Sequence, residues 1–168
     1  MDFLSILRRM AASGLEFVIV GGVAARLHGG TRLTHDVHVV PKLEPEAWER
    51  LVRTLWEAGA RPRIPESRAA IADLTNVRRW IEEKGMLALS FHSANGAVEV
   101  DLLVGEAGRL PELMARATRV ELDRHVYWVA ALDDLIAMKR RAGRPQDLLD
   151  IAELERVRRR IKGGKGTS

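Results

Sequence analysis

Cysteine is absent from the 168-residue chain. That removes disulfide staples, thiolate metal sites and cysteine nucleophiles at once, and it suits a reducing cytosol, so a cytoplasmic protein is expected. Long apolar runs are missing too. None approaches the roughly 20 residues needed to cross a bilayer, so no membrane partner is expected. The opening MDFLSILRRM is too short and too charged for a secretory signal, so nothing marks the chain for export. Aromatics make up only 5%, and the four tryptophans (Trp48, Trp56, Trp80, Trp128) fall at core-like spacings. Trp80, among arginines, also suits stacking on a base. What remains, 46% hydrophobic and 30% charged residues, fits a soluble globular domain with one buried core and not a disordered chain.

The net charge is a mild +4, but it is unevenly placed. From Lys139 to Lys165, ten basic residues face four acidic ones, leaving +6 there and −2 on the rest. A basic C-terminal face attracts nucleotide phosphates or RNA at long range. The cations from Arg156 onward also suit a solvated helix end that complements the helix dipole.

Periodicity orders the elements. Residues 2–13 read as an amphipathic helix and 16–20 as a short buried strand running into Gly21-Gly22. Residues 23–28 have helical composition, stopped by Gly29-Gly30. Residues 36–40 form a second strand, closed by Pro41, and 44–57 a helix with Pro45 in its first turn. Residues 60–85 read poorly beyond a helix near 77–83. Residues 86–92 and 98–104 are strands around the hairpin signal Asn95-Gly96. A short helix spans 109–117, two short strands flank Asp123-Arg124, and helices cover 131–142 and 145–161. The expectation is an α+β domain. A mixed sheet flanked by helices occupies 1–130, a helical C-terminal subdomain packed on it occupies 131–162, and a frayed tail 163–168.

Three features bear on chemistry. A glycine pair between a strand and a helix lets backbone approach a phosphate closely, although such a pair is often only a turn. Asp36 and His38 sit two apart on a strand and so project to one face. Asp101 is an acid inside the apolar run 98–104, where a carboxylate needs a cation or hydrogen bonds. On neighbouring strands, Asp36 and Asp101 would form a cation site beside a phosphate cradle, the combination that nucleotidyl transfer uses. Asp36 alone also suits a capping acid, and Asp101 a buried acid paired with an arginine. Arg32 and Thr34 suit phosphate oxygens. His28 and His35 suit packing or the surface.

The run GGVAARLHGGTRLTHDVHVV (21–40) resembles the nucleotidyltransferase superfamily in its Gly-Gly-x-Ala form. Within it, ALDDLIAMKRRAGRPQDLLDIAEL (131–154) is also similar to the C-terminal part of the small AbiEii-type and related bacterial nucleotidyltransferases. Lincosamide-modifying nucleotidyltransferases share the first run. The resemblance implies the nucleotidyltransferase fold and metal-dependent transfer of a nucleoside monophosphate from an NTP to a hydroxyl of a small molecule, a tRNA end or a protein. It implies Mg²⁺ or Mn²⁺ held by Asp36, His38 and Asp101, which are also the catalytic set. Nucleotide phosphates would meet Gly21, Gly22, Arg32, Thr34 and Lys139, with Arg144 and Asp147 as a candidate pocket wall beside Asp150. A cognate toxin or antitoxin protein is the further partner it implies.

Two departures from the family pattern stand out. Val23 follows the glycines, so no hydroxyl of the Gly-Ser type is present. His38 replaces the second carboxylate of Asp-x-Asp, the one that bridges two metals. A neutral imidazole offers one lone pair and is a poor Mg²⁺ ligand. His38 thus has three readings: a ligand for a softer ion such as Mn²⁺ or Zn²⁺, a general base, or a substitution that ends catalysis and leaves a binding protein.

Overall fold

The computed structural model describes residues 3–12, 14–31, 34 and 36–164. In chain order it holds α1 (Phe3–Ala12), β1 (Phe17–Val20), α2 (Gly21–Leu27), β2 (Asp36–Pro41), α3 (Pro45–Glu57), β3 (Arg61–Pro62), α4 (Arg68–Ala72) and α5 (Leu74–Lys84). There follow β4 (Leu89–His92), β5 (Glu99–Leu102), a 3₁₀ segment (Val104–Arg109), α6 (Leu110–Arg116), β6 (Thr118–Leu122), β7 (His125–Val129), α7 (Leu132–Ala142) and α8 (Pro145–Gly164). The strands form one seven-stranded mixed sheet in the order β3-β4-β5-β2-β1-β7-β6. β1 runs antiparallel to β2 and parallel to β7, and β2 runs parallel to β5.

The central strands alternate because only one of their faces is fully dry. Val37, Val39, Val100, Leu102, Leu89 and Phe91 are at most 1% exposed and build the core on that face. α3 covers the core with Trp48, Leu51, Val52 and Leu55, and Trp48 Nε1 donates to Ile71 O at 2.7 Å, tying α3 to α4. The opposite side chains of β2, β5 and β4 (Asp36, His38, Glu99, Asp101, Ser90 and His92) are polar and not buried. Burying such groups without partners is unfavourable, so the fold leaves this half of the sheet open.

Several sequence expectations change here. Residues 60–85 hold β3 and α4, which were not expected, and α5, which extends the helix expected near 77–83 to 74–84. Local caps explain it: Ser67 Oγ accepts from Ala70 N at 3.1 Å, Asp73 Oδ1 accepts from Thr75 N at 2.9 Å, and Gly85 closes α5 at φ +62°. The strand expected over 86–92 begins only at Leu89, with Leu87 76% exposed, and the one expected over 98–104 ends at Leu102. Trp48 and Trp80 are core residues, whereas Trp128 is 38% exposed on β7. Trp56 is half-buried, with the Arg61 guanidinium 4.6 Å above its ring. α8 runs through Gly163 and Gly164, the first residues of the expected tail.

Candidate functional site

Parallel register between β2 and β5 sets Asp36 opposite Glu99 and His38 opposite Asp101. β4 adds Ser90 beside Asp101 and His92 beside Glu99. The expected pair of carboxylate-bearing strands is therefore adjacent, with both signature residues on the open face. His38 Nε2 lies 3.0 Å from Asp101 Oδ2, the side chains being 29% and 21% exposed. Burial alone would raise the Asp101 pKa. Hydrogen bonds from His38 and Ser90, with the electrostatic pull of His38 and Arg63, outweigh it and hold the carboxyl below its usual value. Its other oxygen, Oδ1, is buried and has no hydrogen-bond partner among the described residues.

The glycine pair explains how β2 comes so close to the start of α2. Gly21 has φ +67°, and a β-carbon there would lie 2.7 Å from His38 Nδ1. A β-carbon on Gly22 would lie 2.8 Å from Thr34 Oγ1. Distances this short do not occur between real side chains, so the glycines make room for His38 and Thr34. Thr34 in turn accepts from Asp36 N at 3.4 Å and steadies the entry to β2. α2 starts at Gly21 itself, two residues earlier than its composition suggested.

A cavity of about 280 Å³ opens between α2, the start of β2 and the junction of α7 with α8. Gly22, Thr34, Asp36, His38, Lys139 and Arg144 line it, so it gathers most of the expected nucleotide-binding residues. Arg32 and His35 lie outside the described residues. Gly21, Asp101 and Asp147 are not on the lining. A larger groove of about 600 Å³ lies between α3 and α4–α5, lined by Glu46, Arg53, Arg68 and Arg78. It touches neither the glycine pair nor β2 and β5.

Around that cavity the charged side chains are mostly held by one another. Lys139 Nζ contacts Asp150 Oδ2 at 2.5 Å and Asp147 Oδ1 at 3.5 Å. Asp147, only 1% exposed, also accepts from Arg144 Nε and from Arg144 backbone N, both at 3.0 Å. It is the third residue of α8 reaching back to the residue before the helix, an acidic version of the capping box. The Arg-Pro-x-Asp run therefore has a structural role: Arg144 lines the cavity, and Asp147 anchors it from behind. His28 Nε2 lies 2.8 Å from Ala130 O and ties the end of α2 to the lead into α7, a packing role, one of the two readings given for it.

Sequence reasoning missed four residues. Glu99 holds Arg63 bidentately, with Nε–Oε1 2.7 Å and Nη2–Oε2 2.8 Å. Its position two before Asp101 was the available signal. Arg63 sits in the stretch without periodicity, where nothing pointed to it. Glu153 Oε1 accepts from Thr31 N at 2.6 Å and Thr31 Oγ1 at 2.7 Å, pinning the loop after α2 to α8. Gln146 lines the cavity beside it. Both contacts join distant parts of the chain, and no local pattern encodes them.

Among the described residues, no group of three or more histidines and carboxylates is drawn together as a metal cluster. Asp36 and Asp101 offer carboxylate oxygens on the open face of the sheet, and Oδ1 of Asp101 is left without a hydrogen-bond donor among the described residues. The position between them is an imidazole hydrogen-bonded to Asp101, not a bridging anion.

A mixed sheet, a glycine pair at the end of its first strand and acidic residues facing outward on the two adjacent parallel strands define the nucleotidyltransferase fold. Two solved structures share it. One is a candidate nucleotidyltransferase from Thermotoga maritima, with 14% identity, a TM-score of 0.50, and coverage of 97% of this chain and 96% of that one. The other is an antigenic nucleotidyltransferase-like protein from Paracoccidioides brasiliensis, with 16% identity, a TM-score of 0.51, and coverage of 89% and 72%. At these identities the likeness is one of fold. No protein-family model and no curated protein matches the chain.

Proposed function

We propose that the protein binds a nucleoside triphosphate in the α2–α8 cavity and transfers its nucleoside monophosphate to a hydroxyl acceptor. The observation that carries this is the meeting, in one cavity, of Gly22, Thr34, Asp36 and His38 from the first motif with Lys139 and Arg144 from the second. Gly22 and Thr34 would face the phosphates, with Lys139 and Arg144 at the tail of the triphosphate. In the transfer, the acceptor oxygen bonds to the α-phosphorus and the bond to pyrophosphate breaks. The acceptor proton leaves toward the His38–Asp101 pair or solvent. Arg26, Lys139 and Arg144 on the lining are matched by Asp36, Asp150 and Glu153, so the cavity has no positive surplus for a triphosphate. A divalent cation, Mg²⁺ or Mn²⁺, on Asp36 and Asp101 would supply that charge. The acceptor would be a hydroxyl of a small molecule, a tRNA end or a protein, with the reaction taking place in the cytoplasm.

The His38–Asp101 hydrogen bond favours a second reading, a binding protein in which transfer has been lost. Calorimetric titration of the four NTPs with Mg²⁺ and then Mn²⁺, on wild type and Asp101→Asn, tests both. Binding that needs the cation and weakens at least tenfold in Asp101→Asn is expected. No binding under any condition sinks both readings. If wild type transfers nothing and His38→Asp acquires transfer, the protein is a silenced member of the fold. If His38→Asp loses existing activity, His38 is catalytic.

A further inference from the structure

The sheet has two edges, and they are built differently. β3 is two residues long, and one of them is Pro62, which has no N–H to offer, so that edge is blunted. β6, at the other end, is five residues long and contains no proline, and its Thr118, Arg119 and Glu121 are exposed. Which backbone groups of β6 face outward follows from its turn. Asp123-Arg124 is a two-residue connection, and Leu122 pairs with His125 across it. The pair flanking such a turn exchanges both backbone hydrogen bonds, and bonded and open pairs alternate from there. Leu122, Val120 and Thr118 therefore direct their N–H and C=O groups to β7. Those of Arg119 and Glu121 point away from the sheet, and no other described element pairs with them.

An antiparallel strand joins this edge by setting its own outward-facing residues against Arg119 and Glu121. Within the five residues of β6, a second copy can do so in three registers. Two of them set Arg119 against Arg119 or Glu121 against Glu121, like charge on like, which is unfavourable. The third is centred on Val120. It sets Arg119 of each copy opposite Glu121 of the other, with a pair of backbone hydrogen bonds at each of the two positions. Reversed in direction, the order Arg-Val-Glu is its own charge complement. The two side chains remain available for this, because their contact along the strand is 3.7 Å and they are 55% and 65% exposed. We propose that two copies of the chain pair through β6 in the register centred on Val120, joining their sheets into one across a two-fold axis. A ladder this short falls below the roughly 1,200 Å² of a stable interface, so the dimer is a weak one that depends on concentration. No residue of β6 or β7 lines the α2–α8 cavity, so both cavities stay open in the pair.

The test is sedimentation velocity from about 5 to about 500 µM, the range for a weak interface, on wild type, Arg119→Glu, Glu121→Arg and the double variant R119E/E121R. Wild type is expected to pass from monomer to dimer across that range. Each single reversal sets like charges together at both positions and should weaken the dimer by about tenfold. The double variant rebuilds both opposite-charge pairs and should dimerise as wild type does. Amide hydrogen exchange on wild type tests the backbone part separately. The N–H groups of Arg119 and Glu121 should exchange slowly only at high concentration, and that of Val120 slowly throughout. A wild type that stays monomeric to about 500 µM overturns the proposal, since weak interfaces already associate there. Single reversals without effect overturn it too, as does a double variant that stays monomeric. A dimer in which Arg119 and Glu121 still exchange fast is formed through another surface, and that also overturns it. Both side chains are exposed, so the variants should fold, which circular dichroism checks; the exchange result on wild type decides whatever the variants do.

Discussion

Asp147 shows at the scale of one residue how a motif can be structural and still serve a site. Its carboxylate is buried, and hydrogen bonds from Arg144 hold its pKa below the usual 3.8, with burial opposing them and Lys139 assisting. A carboxylate depressed in the folded state stabilises the protein above its unfolded value and loses that contribution as pH falls through the folded one. Asp147→Asn should therefore cost about 1–3 kcal/mol at pH 7, and the gap should narrow as the pH falls below the ordinary carboxylate value of 3.8. Urea denaturation at pH 7 and in that acid range, wild type against variant, checks it; a gap constant with pH would show that the charge does not matter. The same residue marks a limit of reading from sequence. The Asp in Arg-Pro-x-Asp was visible as part of a motif, but helix capping and ligand contact leave the same trace until burial separates them. Asp36, His38 and Asp101 were legible because alternation on a strand fixes their face. Glu153 was not, because its contact with Thr31 spans most of the chain.

At the scale of elements, the hairpin of β6 and β7 carries a conspicuous local conflict. Asp123 and Arg124 both have positive φ, +51° and +64°, in the two-residue connection between the strands. Such turns favour Asn-Gly, and a side chain in the left-handed region is strained. Arg124→Gly should raise stability by about 0.5–1 kcal/mol, or one to three degrees in thermal midpoint. Differential scanning calorimetry reads this directly; a lower midpoint would mean that Arg124 makes contacts worth more than its backbone strain. Helices with full amphipathic stripes, α1 and α3, were legible to within a residue or two. The five-residue α4 was not, since a helix set by the Ser67 cap leaves little periodicity to find, and of α5 only residues 77–83 were legible, its first turn being set by the Asp73 cap.

For the molecule as a whole, charge is the property that crosses element boundaries. Arg159, Arg160 and Lys162 stand exposed on α8 with no ion pair among the described residues, on the helix whose first half lines the cavity. If the acceptor is RNA, replacing these three by alanine should lower the slope of log affinity against log salt by roughly two, at about 0.7 per cation for a single strand. Filter binding of a tRNA across a salt series measures it, and an unchanged slope places the RNA elsewhere or removes it as partner. The overall α+β class was legible from the order of strands and helices. The strand order was not, because β1 takes its parallel neighbour from the far end of the chain, Ile19 pairing with Val129. That pairing has a consequence during synthesis. The first strand emerges from the ribosome long before its neighbour exists, and β2 likewise waits for Leu102 of β5. The hydrophobic stretch 17–20 must stay unpaired on one side until residue 129 has been made. The nascent chain thus has a long window in which an exposed strand edge can aggregate or recruit a chaperone, and slower translation before β7 would lengthen it.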